Sequence, residues 1–357
     1  MKLKNLFLLT LIILLIVGCT KVENNNASEK EFIKIGVILP LSGSLTFMGN
    51  GARNSVNLAL EQLENTKYEY KVIFEDDRME PQLTSTATNK LINIDNVDAI
   101  VSFSSGSGNV VSPVTNLNKI IHIGIGSDVT IAKGNYNFIH WTQPNEENRV
   151  FVQELIEKDI KKIAIFEINQ QGTTAIVADL KPKLEEANIE IVSDQKFNFG
   201  EKDFKTLISK AKKSKPDIYL LLALSPELEI LTKQIKEQGI DKPLTAIEAF
   251  EFSEEPELFE GMWYVQAADP SAEYVDSYKA KFENNPVVGS PNTYDAINLI
   301  VKAFEKAETK EEAVNELSEI QGFKGALGTL NIGETGVINS TAIIRTIKNG
   351  EFVTISN

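Results

Sequence analysis

Apolar runs of strand length alternate with amphipathic helical stretches along most of this 357-residue chain, and the alternation restarts once. Residues 32–39 form an apolar run that ends at Pro40, and residues 52–63 then place Val56, Ala59, Leu60 and Leu63 on one helical face. The pattern predicts a strand over 70–75, a helix over 84–91, a strand over 99–103, a helix over 110–117 and a strand over 120–125. After Trp141 the same rhythm returns, with a helix over 146–157 and a strand over 162–166. A helix over 173–187 contains Pro182, where a kink or break is expected. Strands over 190–193, 217–223 and 244–247 then alternate with helices over 204–212 and 226–238. Strands spaced by helices in this way make parallel sheets covered on both faces, the α/β class. Two successive series imply two such domains, in keeping with a prior of roughly 150 residues per domain. The last third differs: a strand over 262–266, helices over 272–282, 293–307 and 310–318, and β segments over 325–332, 340–347 and 351–355.

Charge and rare residues exclude much chemistry. Lys and Arg number 36 against 50 Asp and Glu, a net charge of −14, with no basic footprint for a phosphate backbone, so nucleic acid is not an expected partner. One cysteine rules out a disulfide framework and a cysteine-based zinc cage, and two histidines, His122 and His140, leave little for a histidine metal site. The amino terminus is an address. Lys2 and Lys4 precede a run over 6–17 that is apolar except for Thr10. As a helix it would reach roughly 18 Å, too short for a hydrocarbon core of about 30 Å, and it fits a secretory leader. The Ile16-Val-Gly-Cys19 that follows resembles the lipobox of bacterial lipoprotein signal peptides, which implies cleavage after residue 18 and a lipid on Cys19. Loss of Lys2 and Lys4 takes the net charge from −14 to −16. The polar, Asn-rich stretch 19–31 reads as a flexible tether between lipid and fold. The membrane is then a partner only through that lipid.

Several segments together carry a family resemblance. Ile35-Gly-Val-Ile-Leu-Pro-Leu-Ser-Gly43 is followed by Met48-Gly, Glu75-Asp-Asp77 and Ser102-Phe-Ser-Ser-Gly106. Later come Gly200-Glu-Lys-Asp-Phe204, Pro216-Asp-Ile-Tyr219, Gln238-Gly-Ile240 and Thr293-Tyr-Asp-Ala296. Their order and spacing resemble the type I periplasmic binding proteins of the leucine/isoleucine/valine family, from Phe32 to the C-terminus. The resemblance implies two Rossmann-like lobes joined by three crossover strands, the Venus-flytrap arrangement, with a solute closed between them. Crossings are expected near 142–146, 267–271 and 334–339. Residues 32–142 with 271–335 would form lobe 1, and 143–268 with 339–357 lobe 2.

In open α/β sheets, ligands bind beyond the carboxyl ends of the strands, where backbone N–H groups and helix N-termini converge. Ser104-Ser-Gly-Ser-Gly108 occupies such a place, and a carboxylate could accept bonds from the Ser105 hydroxyl and nearby N–H groups. The same residues would also serve as an ordinary helix cap and turn. By the resemblance, Gly126 offers its carbonyl to the site, and Asp128 stands where Thr or Ser is usual. An ionised Asp cannot donate to a carboxylate, so Asp128 would pair with an ammonium, cap a helix, or indicate a different ligand; Ser127 could supply the hydroxyl. Glu248 matches the acidic residue that binds the α-ammonium across the cleft, with a surface carboxylate as the plain alternative. Met48, Gln171 and Leu224 stand at pocket positions where aromatics are usual, which leaves an adaptable wall with fewer polar anchors. An aliphatic amino acid, an amide or another small solute all remain open as ligand.

The other signals are structural in character. Asp76-Asp77 reads as a turn cap more than a cation site, His122 as a core residue, and His140 beside Trp141 as structural or rim. No Walker loop, HExxH or G-x-S-x-G occurs, and Gly124-x-Gly126 lacks the third glycine of a dinucleotide fingerprint, so no catalysis, cofactor or metal is expected. The resemblance implies an extracytoplasmic, monomeric solute-capturing lipoprotein that hands its ligand to the permease of an ATP-driven importer by hinge closure. The alternative is a sensor on the same fold; such receptors usually carry a transmembrane helix and a cytoplasmic module, and no apolar run of spanning length follows residue 18.

Overall fold

A computed structural model describes residues 31–356. The leader 1–18, the expected lipidation site Cys19 and all but the last residue of the tether lie outside the described residues. The first series runs β1 (Phe32–Leu39), α1 (Thr46–Glu61), β2 (Glu69–Asp76), α2 (Pro81–Lys90), β3 (Ala99–Phe103), α3 (Ser105–Asn118), β4 (Ile121–Ile125) and β5 (Asn137–His140). The second runs α4 (Pro144–Glu157), β6 (Lys162–Ile168), α5 (Gln171–Glu186), β7 (Glu190–Phe197), α6 (Lys205–Lys213), β8 (Ile218–Leu222), α7 (Glu227–Glu237), β9 (Leu244–Ile247) and β10 (Trp263–Ala267). The chain ends with α8 (Ala272–Phe282), α9 (Ser290–Glu305), α10 (Lys310–Ser318), β11 (Phe323–Gly325), β12 (Gly328–Leu330), β13 (Val337–Ile338), β14 (Ala342–Lys348) and β15 (Glu351–Ser356).

These strands form two large sheets. The first has the order β13-β5-β4-β3-β1-β2, with every pairing parallel. The second has the order β15-β14-β10-β9-β8-β6-β7, parallel from β7 to β10 and antiparallel through β14 and β15. Parallel strands need both faces covered, and the alternation along each strand supplies two apolar faces. On β1, Ile33, Ile35, Val37 and Leu39 join one hydrophobic cluster, while Ile38 joins Leu91, Ile100 and Val111 in another. On β6, Ala164 and Phe166 share a cluster with Ile208 and Leu231, while Ile163 and Ile165 share one with Leu180 and Leu184. Each fully buried Ile or Leu contributes roughly 1.5–3 kcal/mol, so the two covered faces dominate the stability of each lobe.

The chain passes between the sheets at 141–143, 268–271 and 339–341. The third passage falls a few residues beyond 334–339, because Val337 and Ile338 still pair with Ile139 and His140 of the first sheet. Three local differences have physical reasons. β5 escapes the apolar pattern because Asn137 and His140 bound its four residues. The helix expected from residue 84 starts at Pro81, whose missing N–H costs nothing in a first turn. The break expected at Pro182 does not occur: α5 runs on to Glu186, since the Ala178 carbonyl that Pro182 leaves unpaired sits on an exposed residue open to water.

Candidate functional site

The carboxyl ends of the parallel strands gather most of the expected site residues. Ser105 follows β3, and Gly126, Ser127 and Asp128 follow β4 in the first lobe; Gln171 follows β6, Leu224 follows β8 and Glu248 follows β9 in the second. Met48 lies in the first turn of α1.

On the first lobe, two loops are knitted through one hydroxyl. Ser105 Oγ accepts the backbone N–H groups of Ser127 at 2.9 Å and Asp128 at 3.1 Å. A serine oxygen has two lone pairs and one proton, so its remaining capacity is to donate that proton to an acceptor. Only glycine allows this approach at 126, where an added Cβ would meet Ser105 N at 2.6 Å and Ser105 Oγ at 2.8 Å. Ser104, held at φ +97°, caps α3 by accepting the Ser107 N–H at 3.1 Å. Beneath it, Ser107 Oγ donates to the fully buried Asp77 at 2.5 Å, and Asp77 also accepts from Thr84 Oγ1 at 2.8 Å and Met79 N at 3.0 Å. Burial raises the Asp77 pKa, and these hydrogen bonds pull it back. Ser105 is therefore a residue of the first turn of α3 whose hydroxyl oxygen holds the loop after β4, while the cap itself is Ser104.

The second lobe faces it with acid. Glu248 is 4% exposed and held at φ +63°, its N–H donating to Val265 O at 2.8 Å. Its carboxylate accepts from the indole N–H of Trp141 and, across the lobes, from Ser127 Oγ at 3.3 Å. Glu147, in the first turn of α4, is fully buried, and neither of its carboxylate oxygens has a hydrogen-bond partner among the described residues. Burial raises the pKa of Glu248, and it drives that of Glu147 far up, with the charge of Glu248 adding to the effect.

Further contacts tie the lobes together. Asn109 Nδ2 on α3 lies 2.7 Å from both Gln171 Oε1 on the opposite lobe and Asp128 Oδ2. Gly172 stands so close that an added Cβ would lie 3.0 Å from Ser105 Oγ. Asp128 also accepts from Thr130 N at 3.0 Å and Thr130 Oγ1 at 2.7 Å, capping the short 3-10 turn that follows. Its carboxylate is thus engaged within its own lobe. Met48 and Leu224 are buried, each part of an apolar cluster, and neither contributes a polar contact.

Sequence reasoning missed Glu147, Trp141 and Asn109. Glu147 left a signal: it falls in phase with Pro144, Phe151 and Leu155 on the buried face of α4, where an acid is out of place. The remaining polar residues are structural. Asp76 accepts the N–H groups of Leu41, Ser42 and Arg78, as a turn cap does. His122 bonds Ser102 Oγ at 2.8 Å, and burial lowers its pKa to about 3, so it is neutral at physiological pH. His140 is fully buried, 3.3 Å from Asp295. Among the described residues there is no group of three or more His, Cys, Asp or Glu that could hold a metal ion, and no helix long and apolar enough to cross a membrane.

A family model described as periplasmic binding protein matches residues 33–351. This chain is a type I periplasmic binding protein of the branched-chain amino acid family. Members of the family are substrate-binding proteins of ABC transporters and not enzymes, and they work outside the cytoplasm. A leucine-, isoleucine-, valine-, threonine- and alanine-binding protein of Pseudomonas aeruginosa is 27% identical over 86% of this chain and 87% of its own length. Among solved structures, the leucine-binding protein LivK of Thermotoga maritima superimposes with a TM-score of 0.84 at 22% identity, over 91% of this chain and 98% of that one. The Streptococcus pneumoniae branched-chain amino acid transporter protein LivJ, solved with isoleucine, gives 0.82 at 22% identity over 92% and 100%.

Proposed function

We propose that this periplasmic binding protein captures an amino acid of branched-chain type, or a related small solute, and presents it to the permease of an ATP-driven importer. The observation that carries this reading is the pairing of a free serine proton on one lobe with a buried carboxylate on the other, linked by the Ser127–Glu248 hydrogen bond. An α-amino acid needs both ends met: the carboxylate by Ser105 Oγ and the N-terminal turn of α3, the ammonium by Glu248. A charge-assisted bond to a desolvated ammonium is worth about 1.5–3 kcal/mol. Gly126 offers its carbonyl beside Ser105, Met48 and Leu224 line the apolar side, and Gln171 closes the rim with Asn109. Lobes 32–142 with 271–338 and 143–268 with 339–357 then close about the three passages as a hinge. The chain works as a monomer held to the membrane by a lipid on Cys19, after removal of residues 1–18.

Thermal unfolding against a panel of amino acids, small amides and polyamines tests this. A ligand at about 100 times its dissociation constant adds roughly 2.7 kcal/mol, a readable shift in Tm. A shift with leucine, isoleucine or valine that vanishes in Glu248→Ala is the expected result. A shift with another solute alone overturns the ligand class.

A further inference from the structure

Glu248 takes one of its hydrogen bonds from a residue that the amino-acid reading leaves without a task. Trp141 stands at the start of the first passage between the sheets, directly after β5, and its indole N–H donates to Oε1 of Glu248. The body of the ring belongs to the first lobe. It is buried in one hydrophobic cluster with Phe103 and Phe138. Beside it lies Gly289, where an added Cβ would sit 2.5 Å from the Phe103 ring and 3.6 Å from Trp141 Cζ3. The backbone on either side is held as well. The His140 carbonyl accepts Asn292 Nδ2 at 3.0 Å, the Trp141 carbonyl accepts Gln143 Nε2 at 2.9 Å, and Thr142 Oγ1 lies 2.6 Å from Ser340 Oγ on the third passage.

The acceptor is fixed from the second lobe. The Glu248 backbone is in the left-handed region at φ +63°, with its N–H given to Val265 O at 2.8 Å and its carbonyl accepting Glu251 N at 3.1 Å. Its carboxylate oxygens are not equivalent. Oε1 takes the indole N–H and lies 3.3 Å from Ser127 Oγ, whereas Oε2 has only Ser127 Oγ, at 3.4 Å, and that hydroxyl has a single proton to give. Both donors are neutral. No lysine or arginine among the described residues pairs with Glu248: Arg345 serves Glu251 at 2.6 Å and Asp269 at 3.0 Å. On α4, which packs against β9, Glu147 has no hydrogen-bond partner among the described residues, and Glu251 also accepts from Tyr264 at 2.7 Å. A neutral donor orients a carboxylate and leaves its charge uncancelled, as a site for a cation from outside the chain requires.

We propose that Trp141 is the positioning residue of the ammonium site: its indole N–H pins Oε1 of Glu248, and Oε2 with the whole negative charge is left to the ligand. This rests on the amino-acid reading above and adds a residue to it. A residue on a passage moves least as two lobes swing, so the Trp141–Glu248 bond holds the carboxylate through opening and closing. The Ser127–Glu248 and Asn109–Gln171 bonds lie away from the passages and are made by closure. The ammonium thus docks against a carboxylate that is already aimed, and less orientational freedom is lost on binding.

The test uses the full chain, purified in detergent, with L-leucine, L-isoleucine and L-valine as probes. Trp141→Phe removes the N–H and part of the ring, while benzothienylalanine placed at position 141 keeps the indole's shape and lacks only the N–H. By calorimetry at neutral pH, the benzothienylalanine protein should bind the amino acids about tenfold more weakly than wild type, and Trp141→Phe at least as weakly. Affinity should fall at low pH as Glu248 takes up a proton. Burial raises the Glu248 pKa and the indole N–H lowers it, so removing the N–H should move that fall upward by about one pH unit. The chain has two tryptophans, and the indole N–H signal missing from the NMR spectrum of Trp141→Phe identifies that of Trp141. In the ligand-free wild type this signal should shift with pH at the same midpoint as the affinity. Equal affinity in the benzothienylalanine protein and wild type would reduce Trp141 to packing and overturn the inference alone. An unmoved pH profile, or an indole signal indifferent to pH, does the same. Failure of all three amino acids to bind the wild type overturns the amino-acid reading and the inference with it.

Discussion

Replacing Gly126 by alanine puts a methyl group where the two first-lobe loops touch. The added Cβ would lie 2.6 Å from Ser105 N, 2.8 Å from Ser105 Oγ and 2.9 Å from the Ser104 carbonyl carbon, and two of these three are backbone atoms that no rotamer change can move. The start of α3 must shift away, and the shift stretches both bonds that Ser105 Oγ accepts from Ser127 and Asp128. Overpacking costs about 1–3 kcal/mol and orphaning the buried Ser127 N–H about 1–3 kcal/mol more, so a total of about 2–6 kcal/mol is expected. Urea unfolding at neutral pH measures it. Ser105→Ala removes the same acceptor without the wedge and should cost about 1–3 kcal/mol, toward the lower end because Asp128 is half-buried and its N–H can reach water. The two substitutions share their mechanism, so the double variant should cost about 1 kcal/mol or more less than the two single effects together. Additivity within about 0.5 kcal/mol would refute the argument, because it would mean that alanine at 126 leaves the Ser105 bonds intact.

Two further outcomes follow from the geometry. Arg345→Met strips the largely buried Glu251 of its cation and should cost about 3–5 kcal/mol at neutral pH. Burial already raises the Glu251 pKa, and without the guanidinium it rises further, so the deficit should grow with pH above the ordinary glutamate range and shrink below it, as thermal melts across pH will show. The chain has two tryptophans, and Trp141 donates to the cleft carboxylate. Ligand binding should therefore change the tryptophan emission of the wild type and leave that of Trp141→Phe nearly unchanged; an equal response in the variant would place the ligand elsewhere.

The architecture was legible because periodicity is a local property. Residues 32–39 are apolar at nearly every position, and only a strand buried on both faces demands that. The same logic failed at β5, whose four residues carry Asn137 and His140, partnered by Thr115 and Asp295 from distant elements. Glu248 was legible only by resemblance, since nothing nearby in sequence explains why a carboxylate should stand buried after β9. Asp128 had three open roles. Its bonds to Thr130 and Asn109 show it engaged as a cap, which the spacing Asp128–Thr130 alone left undecided.

The sequence by itself determined the α/β class, two sheet series, and the placing of Ser105, Gly126, Gln171, Leu224 and Glu248 at strand ends, because each follows from residue order and local pattern. Tertiary structure alone decided which of them meet. Ser127 reaches Glu248 across 121 positions and Asn109 reaches Gln171 across 62, contacts that arise from the way the chain passes three times between the sheets. It also decided that Glu147 is fully buried with neither carboxylate oxygen partnered among the described residues. A helix face records that a side chain is buried, and only the packing of that face against another element records what it is buried with.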